Sequence, residues 1–152
     1  MPPTIQWYVR TALLYILVSA ALGVWYQLEL WHPIFGINPY LIVVHTHLAL
    51  MGGVIQMIMG VGLWMFPLTV PIDQRLPFRP ALAWTIYALF NGGLLGRFVV
   101  EWAFRSGKGD VYGALTVLTG LMQFVALLVF VYHLWSLRLS RRSQAQREAR
   151  QG

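Results

Sequence analysis

A chain of 152 residues that is 58% apolar and only 11% charged, with a mean hydropathy of +0.61, has too few charges to solvate a globule of its size. These values exclude a soluble globular enzyme and point to an integral membrane protein. The formal net charge of +6 does not imply nucleic acid, because most basic residues fall in flanks and in the C-terminal stretch, where a lipid-headgroup-facing role fits better.

Four apolar segments follow in chain order, at 11–30, 40–66, 81–104 and 111–137. Each reaches the ~20 residues that a spanning helix needs. The first lacks a small-residue cleavage motif and is expected to stay as a helix. The second exceeds the length required and is expected to tilt or protrude. The breaks carry Pro33, Asn38 and Pro39, then Pro67, Pro71, Pro77 and Pro80, then Ser106, Gly107 and Gly109, all turn or helix-stop chemistry. The expected fold is therefore all-α: an integral membrane four-transmembrane-helix bundle over 1–137, followed by a basic tail over 138–152. Arg10, Arg75, Arg79, Arg138, Arg141, Arg142, Arg147 and Arg150 fall on one side against Arg105 and Lys108 on the other. By the positive-inside rule both termini are expected in the cytoplasm, in a multi-pass protein of the inner (cytoplasmic) membrane.

The second segment carries His45 and His47. Imidazole within hydrocarbon needs a partner, and an intramembrane histidine pair is a functional-site hypothesis by default. Residues two apart on an α-helix point about 200° apart, so the two cannot chelate one ion as an i, i+4 pair would. They suit a helix that offers each face to a different neighbour. Metal ligation is one reading; the other is a hydrogen bond from one ring to a carbonyl while the second faces water. Without cysteine there is no thiolate ligand and no covalent c-type haem attachment, so any haem is non-covalent haem b.

Other residues carry two readings each. Gly52, Gly53, Gly60 and Gly62, with Gly92, Gly93 and Gly96, suit close helix packing and would also make room for a flat macrocycle. Arg97 and Glu101 are spaced for an intrahelical ion pair, and the Arg97 fork also suits a haem propionate. His133, beside Tyr132 and Trp135, reads as an interfacial belt residue and His32 as an outer loop residue. Gln56 and Gln123 are expected to make interhelical hydrogen bonds.

The run HTHLALMGGVIQMIMGVGLWMFPL, starting at His45, resembles the haem-ligating helix of subunit I of the haem-copper oxidases and nitric oxide reductases. In that family an HxH pair precedes a glycine-bearing helix ending in W/F and Pro. The resemblance implies that His45 holds a high-spin haem and His47 a low-spin one. Asn91 and Asp110-Val111-Tyr112 resemble the helices that follow, and Arg105 is the nearest counterpart of the family's propionate-binding arginines.

The family's subunit I has about twelve helices in three four-helix arcs, and this chain supplies one arc. It lacks a match to the adjacent His-His ligands of the second metal and to the catalytic tyrosine segment, so no oxygen or NO reduction is expected of it alone. Bis-histidine haem binding in a homodimer or homotrimer is the expectation, for electron transfer or as a partner of a respiratory oxidase or nitric oxide reductase. The alternatives are a haem-free assembly subunit and a diatomic gas sensor.

Overall fold

The structure, a computed structural model, describes residues 1–33, 39–68, 79–104 and 110–148. Helix α1 is Pro3–Trp31; a second rod follows as α2 (Pro39–His47), a π-helical segment (Leu48–Ile55) and α3 (Gln56–Leu68); then come α4 (Pro80–Phe104) and α5 (Asp110–Glu148). No strand occurs among the described residues. Among the described residues, three stretches are long and apolar enough to cross a membrane: Pro3–Trp31, Ile42–Met65 and Asp110–Trp135.

Two helix limits differ from the apolar segments. Helix α1 starts at Pro3 rather than at 11, because a proline at the first helical position is preorganised for the helix and lacks only an N–H that would be orphaned there. Helix α5 runs past 137 to Glu148, so the expected boundary at 138 is no break in the backbone. No glycine or proline interrupts the chain from 121 to 151, and the Leu, Arg, Gln, Ala and Glu of this stretch are good helix formers.

The π segment was not anticipated. It begins directly after His47, and at its end the Gln56 N–H reaches back to Met51 O as well as Gly53 O. An i→i−5 ladder inserts extra residues per turn, and such stretches are rare and frequent at functional sites.

Helix α1 lies along the second rod, and α4 pairs with α5. One apolar core gathers Ile5, Tyr8, Met59, Leu63, Ala83, Ile86, Phe90, Ala126 and Phe130. A second, smaller one joins Tyr15, Val44, Leu48 and Leu94 beside the histidine pair. Polarity on α1 is inverted relative to a water-soluble helix: Thr4, Tyr8, Tyr15, Ser19 and Glu29 are buried, while Leu13, Leu14, Leu17, Val24 and Leu28 face outward. Hydrocarbon outside favours that arrangement, since polar groups must then find partners inside.

They do so across helices. Tyr8 Oη donates to Ala83 O at 2.8 Å, and Tyr15 Oη donates to Asn91 Oδ1 at 2.8 Å. Asn91 Nδ2 in turn donates to Tyr87 O at 2.9 Å. Gln56 Nε2 donates to Tyr8 O and to Thr11 Oγ1, making the expected interhelical bond. Gln123 differs: its Nε2 is buried with no partner among the described residues. Its stem lies over Gly93, where a Cβ would come within 2.9 Å of Gln123 Cγ, so the side chain is committed to packing.

Helix–helix contact accounts for most of the glycines. Gly52 meets Tyr15 and Leu94, Gly60 meets Tyr8, and Gly62 meets Phe130. The closest approach to backbone is at Gly93, where a Cβ would sit 2.6 Å from the Thr119 carbonyl oxygen of α5. Packing fills this space within a single chain, which favours the packing reading over room for a macrocycle at these positions.

Candidate functional site

His45 and His47 end α2, at the junction with the π segment. Both are half-buried, and the helix turns them to different neighbours, as their spacing requires. His45 faces α1. Its ring lies against Gly23, where a Cβ would stand 3.0 Å from Cε1, 3.4 Å from Nδ1 and 3.7 Å from Nε2. His47 borders a cleft with Val44, Leu48, Leu94, Arg97, Phe98 and Glu101.

The hydrogen bonds settle the tautomer of each ring. His45 Nδ1 is 2.8 Å from the Ser19 carbonyl oxygen, and His47 Nδ1 is 2.9 Å from the Val43 carbonyl oxygen. A carbonyl can only accept, so Nδ1 carries a proton in both rings, and Nε2 is the nitrogen that a neutral ring would offer as an acceptor. Ser19 Oγ lies 3.0 Å from the same His45 nitrogen and donates to His45 O at 2.9 Å. An imidazole whose Nδ1–H is tied to a carbonyl has the arrangement usual in metal-ligating histidines, with the ring orientation fixed.

Arg97 and Glu101 form the expected i, i+4 ion pair, with Arg97 Nε donating to Glu101 Oε1 at 2.6 Å. Glu101 Oε2 is buried with no partner among the described residues. The guanidinium crosses towards α5, where a Cβ on Gly120 would stand 3.6 Å from Arg97 Nη1. Mutual neutralisation lets both charges sit within the bundle.

Arg97 therefore shares the His47 cleft. Arg105 lies outside the described residues, so its expected role gains nothing from the geometry. His32 caps the end of α1 through a backbone bond to Leu28 O at 2.7 Å and is exposed beside Trp31. His133 is on α5, far along the chain from the pair.

The residues left out of the sequence reading are Ser19 and Gly23. They are four apart on α1, a small-xxx-small pattern that was legible, but nothing in the sequence ties it to His45.

Among the described residues no group of three or more His, Asp or Glu is placed to hold a metal. A zinc ion takes three or four protein ligands, whereas haem iron takes one or two. Two imidazoles on different helix faces are too few for the first case and equal in number to the second. The His47 cleft, at about 170 Å³ of empty space, is too tight for a macrocycle inside one protomer. No protein family, curated protein or solved structure matches the chain.

Proposed function

We propose that this is a four-span protein of the inner (cytoplasmic) membrane, with both termini cytoplasmic, that binds haem b non-covalently through His45 and His47. Its role is electron transfer, on its own or beside a respiratory oxidase or nitric oxide reductase. The observation that carries the reading is the pair of rings with Nδ1–H bonded to carbonyls, which leaves Nε2 as the nitrogen a metal would take. Helix α4 is the fourth span: its 25 residues cover about 37 Å, against ~30 Å of hydrocarbon, and its charges neutralise each other.

When bound, haem supplies a one-electron iron centre whose potential follows its axial ligands and its burial. The chain contributes two oriented imidazoles, with Arg97 and Arg105 as candidate partners for propionates. Likeness of the His45 run to one arc of haem-copper oxidase subunit I supports the same ligand pair, with no reducing activity of its own. A reduced-minus-oxidised absorption spectrum of the purified protein is the test: sharp b-type bands are expected, and a featureless spectrum overturns the reading.

One helix cannot bring two opposed nitrogens to one iron, and the His47 cleft is narrow, so this reading takes the two imidazoles from different protomers. A homodimer or homotrimer carrying haem is expected in native mass spectrometry from mild detergent. A haem-loaded monomer would contradict this. If His45 and His47 together held the iron, the reduced protein would be expected to take up carbon monoxide slowly or not at all. Rapid stoichiometric uptake in a stopped-flow record would instead favour gas sensing.

The glycine contacts favour a second reading, a haem-free packing or assembly subunit, because they are satisfied by neighbouring helices alone. The difference spectrum separates the two.

A further inference from the structure

The two histidines are held in unequal ways. Among the described residues, His47 bonds only to a carbonyl of its own helix, one turn back, at Val43. His45 is held by another helix: Ser19 accepts its Nδ1–H and returns a hydroxyl bond to its carbonyl, while Gly23 supplies the flat surface under the ring. Within α1 the Ser19 carbonyl also serves the Gly23 N–H, as helix geometry requires, and its second lone pair is what the imidazole uses. The ring reaches that lone pair because Gly23 has no Cβ. A methyl there would meet Cε1 at 3.0 Å, and the imidazole would have to give way.

We propose that Ser19 and Gly23 are positioning residues: they form a cradle on α1 that fixes the orientation and tautomer of His45 and so keeps its Nε2 available as a ligand. The inference rests on the haem reading for its consequence, while the cradle itself is testable without haem. Ser19 is 2% exposed, so no water competes for its hydroxyl. The ligand position of His45 then depends on how α1 docks against α2, and that of His47 does not.

The experiment uses the full chain with ¹⁵N-labelled histidine in lipid nanodiscs, first without haem. The ring nitrogens of His45 are assigned from the signals lost in His45→Ala. Wild type is expected to give one His45 form, protonated at Nδ1, and likewise for His47. In Gly23→Ala the His45 signals are expected to split or shift towards the Nε2-protonated form, with His47 unchanged; in Ser19→Ala, where the carbonyl acceptor stays and only the hydroxyl is lost, they are expected to shift while remaining Nδ1-protonated, and Ser19→Thr, which keeps the hydroxyl, restores the wild-type position. Haemin titration is then expected to show about tenfold weaker binding in Ser19→Ala, the lower end of what lost outer-shell partners cost.

If both substitutions leave the His45 signals and the haemin affinity at wild-type values, the cradle is overturned while the haem reading stands. If the His45 signals change as expected but no form of the protein takes up haemin, the cradle stands and the haem reading falls. Circular dichroism confirms the fold of each variant, and the two independent substitutions keep the test open should one fail to fold.

Discussion

Replacing both His45 and His47 by alanine is expected to remove the low-spin b-type spectrum completely while leaving the helical fold in place. Each ring is half-buried and bonded at Nδ1, so what each substitution removes is a single bare nitrogen, together with one or two hydrogen bonds at the edge of the second apolar core. Hydrogen bonds of this kind are worth about 0.6 kcal/mol in a membrane bundle, too little to unfold four helices. The single variants separate the roles. His47→Ala should abolish the low-spin bands, and His45→Ala should abolish them or convert them to a high-spin form. An unchanged low-spin spectrum in the double variant sinks the ligand assignment, whatever its effect on yield.

How much of this was legible in the sequence depends on the range of the interaction. The helices were, because ~20 apolar residues bounded by Pro33, Pro67, Pro80 and Gly109 are a local signal. So was the opposition of His45 and His47, which follows from helix pitch, and the Arg97–Glu101 pair, which is one turn apart. The π segment was not: it holds Gly52 between Tyr15 and Leu94, residues distant in sequence. The partner of His45 was hidden for the same reason. Ser19 is 26 residues away on another helix, and a serine in an apolar segment usually bonds its own backbone. Gln123 shows the limit from the other side, since composition predicted a hydrogen bond and the close approach of α4 at Gly93 left its Nε2 without one among the described residues.

Glycine is where sequence and structure part most sharply, and it supports the second large prediction. Gly93 and Gly113 look alike in the sequence, both small residues in apolar helices. A Cβ on Gly113 would meet nothing within 4 Å. On Gly93 it would lie 2.6 Å from Thr119 O, 2.9 Å from Gln123 Cγ and 3.1 Å from Met122 Cβ. The first of these is backbone, which cannot swing aside, so α4 and α5 must separate along their main line of contact. Gly93→Leu is therefore expected to destabilise the protein by about 3 kcal/mol or more, the upper end of overpacking costs. The same change at Gly113 should leave stability unchanged or slightly raised, because leucine is the better helix former. Denaturant titration in detergent, followed by circular dichroism, gives the comparison directly. Equal midpoints for the two variants would mean that α4 and α5 do not meet at Gly93, and would remove the contact that holds Arg97 over Gly120 and hence beside the His47 cleft.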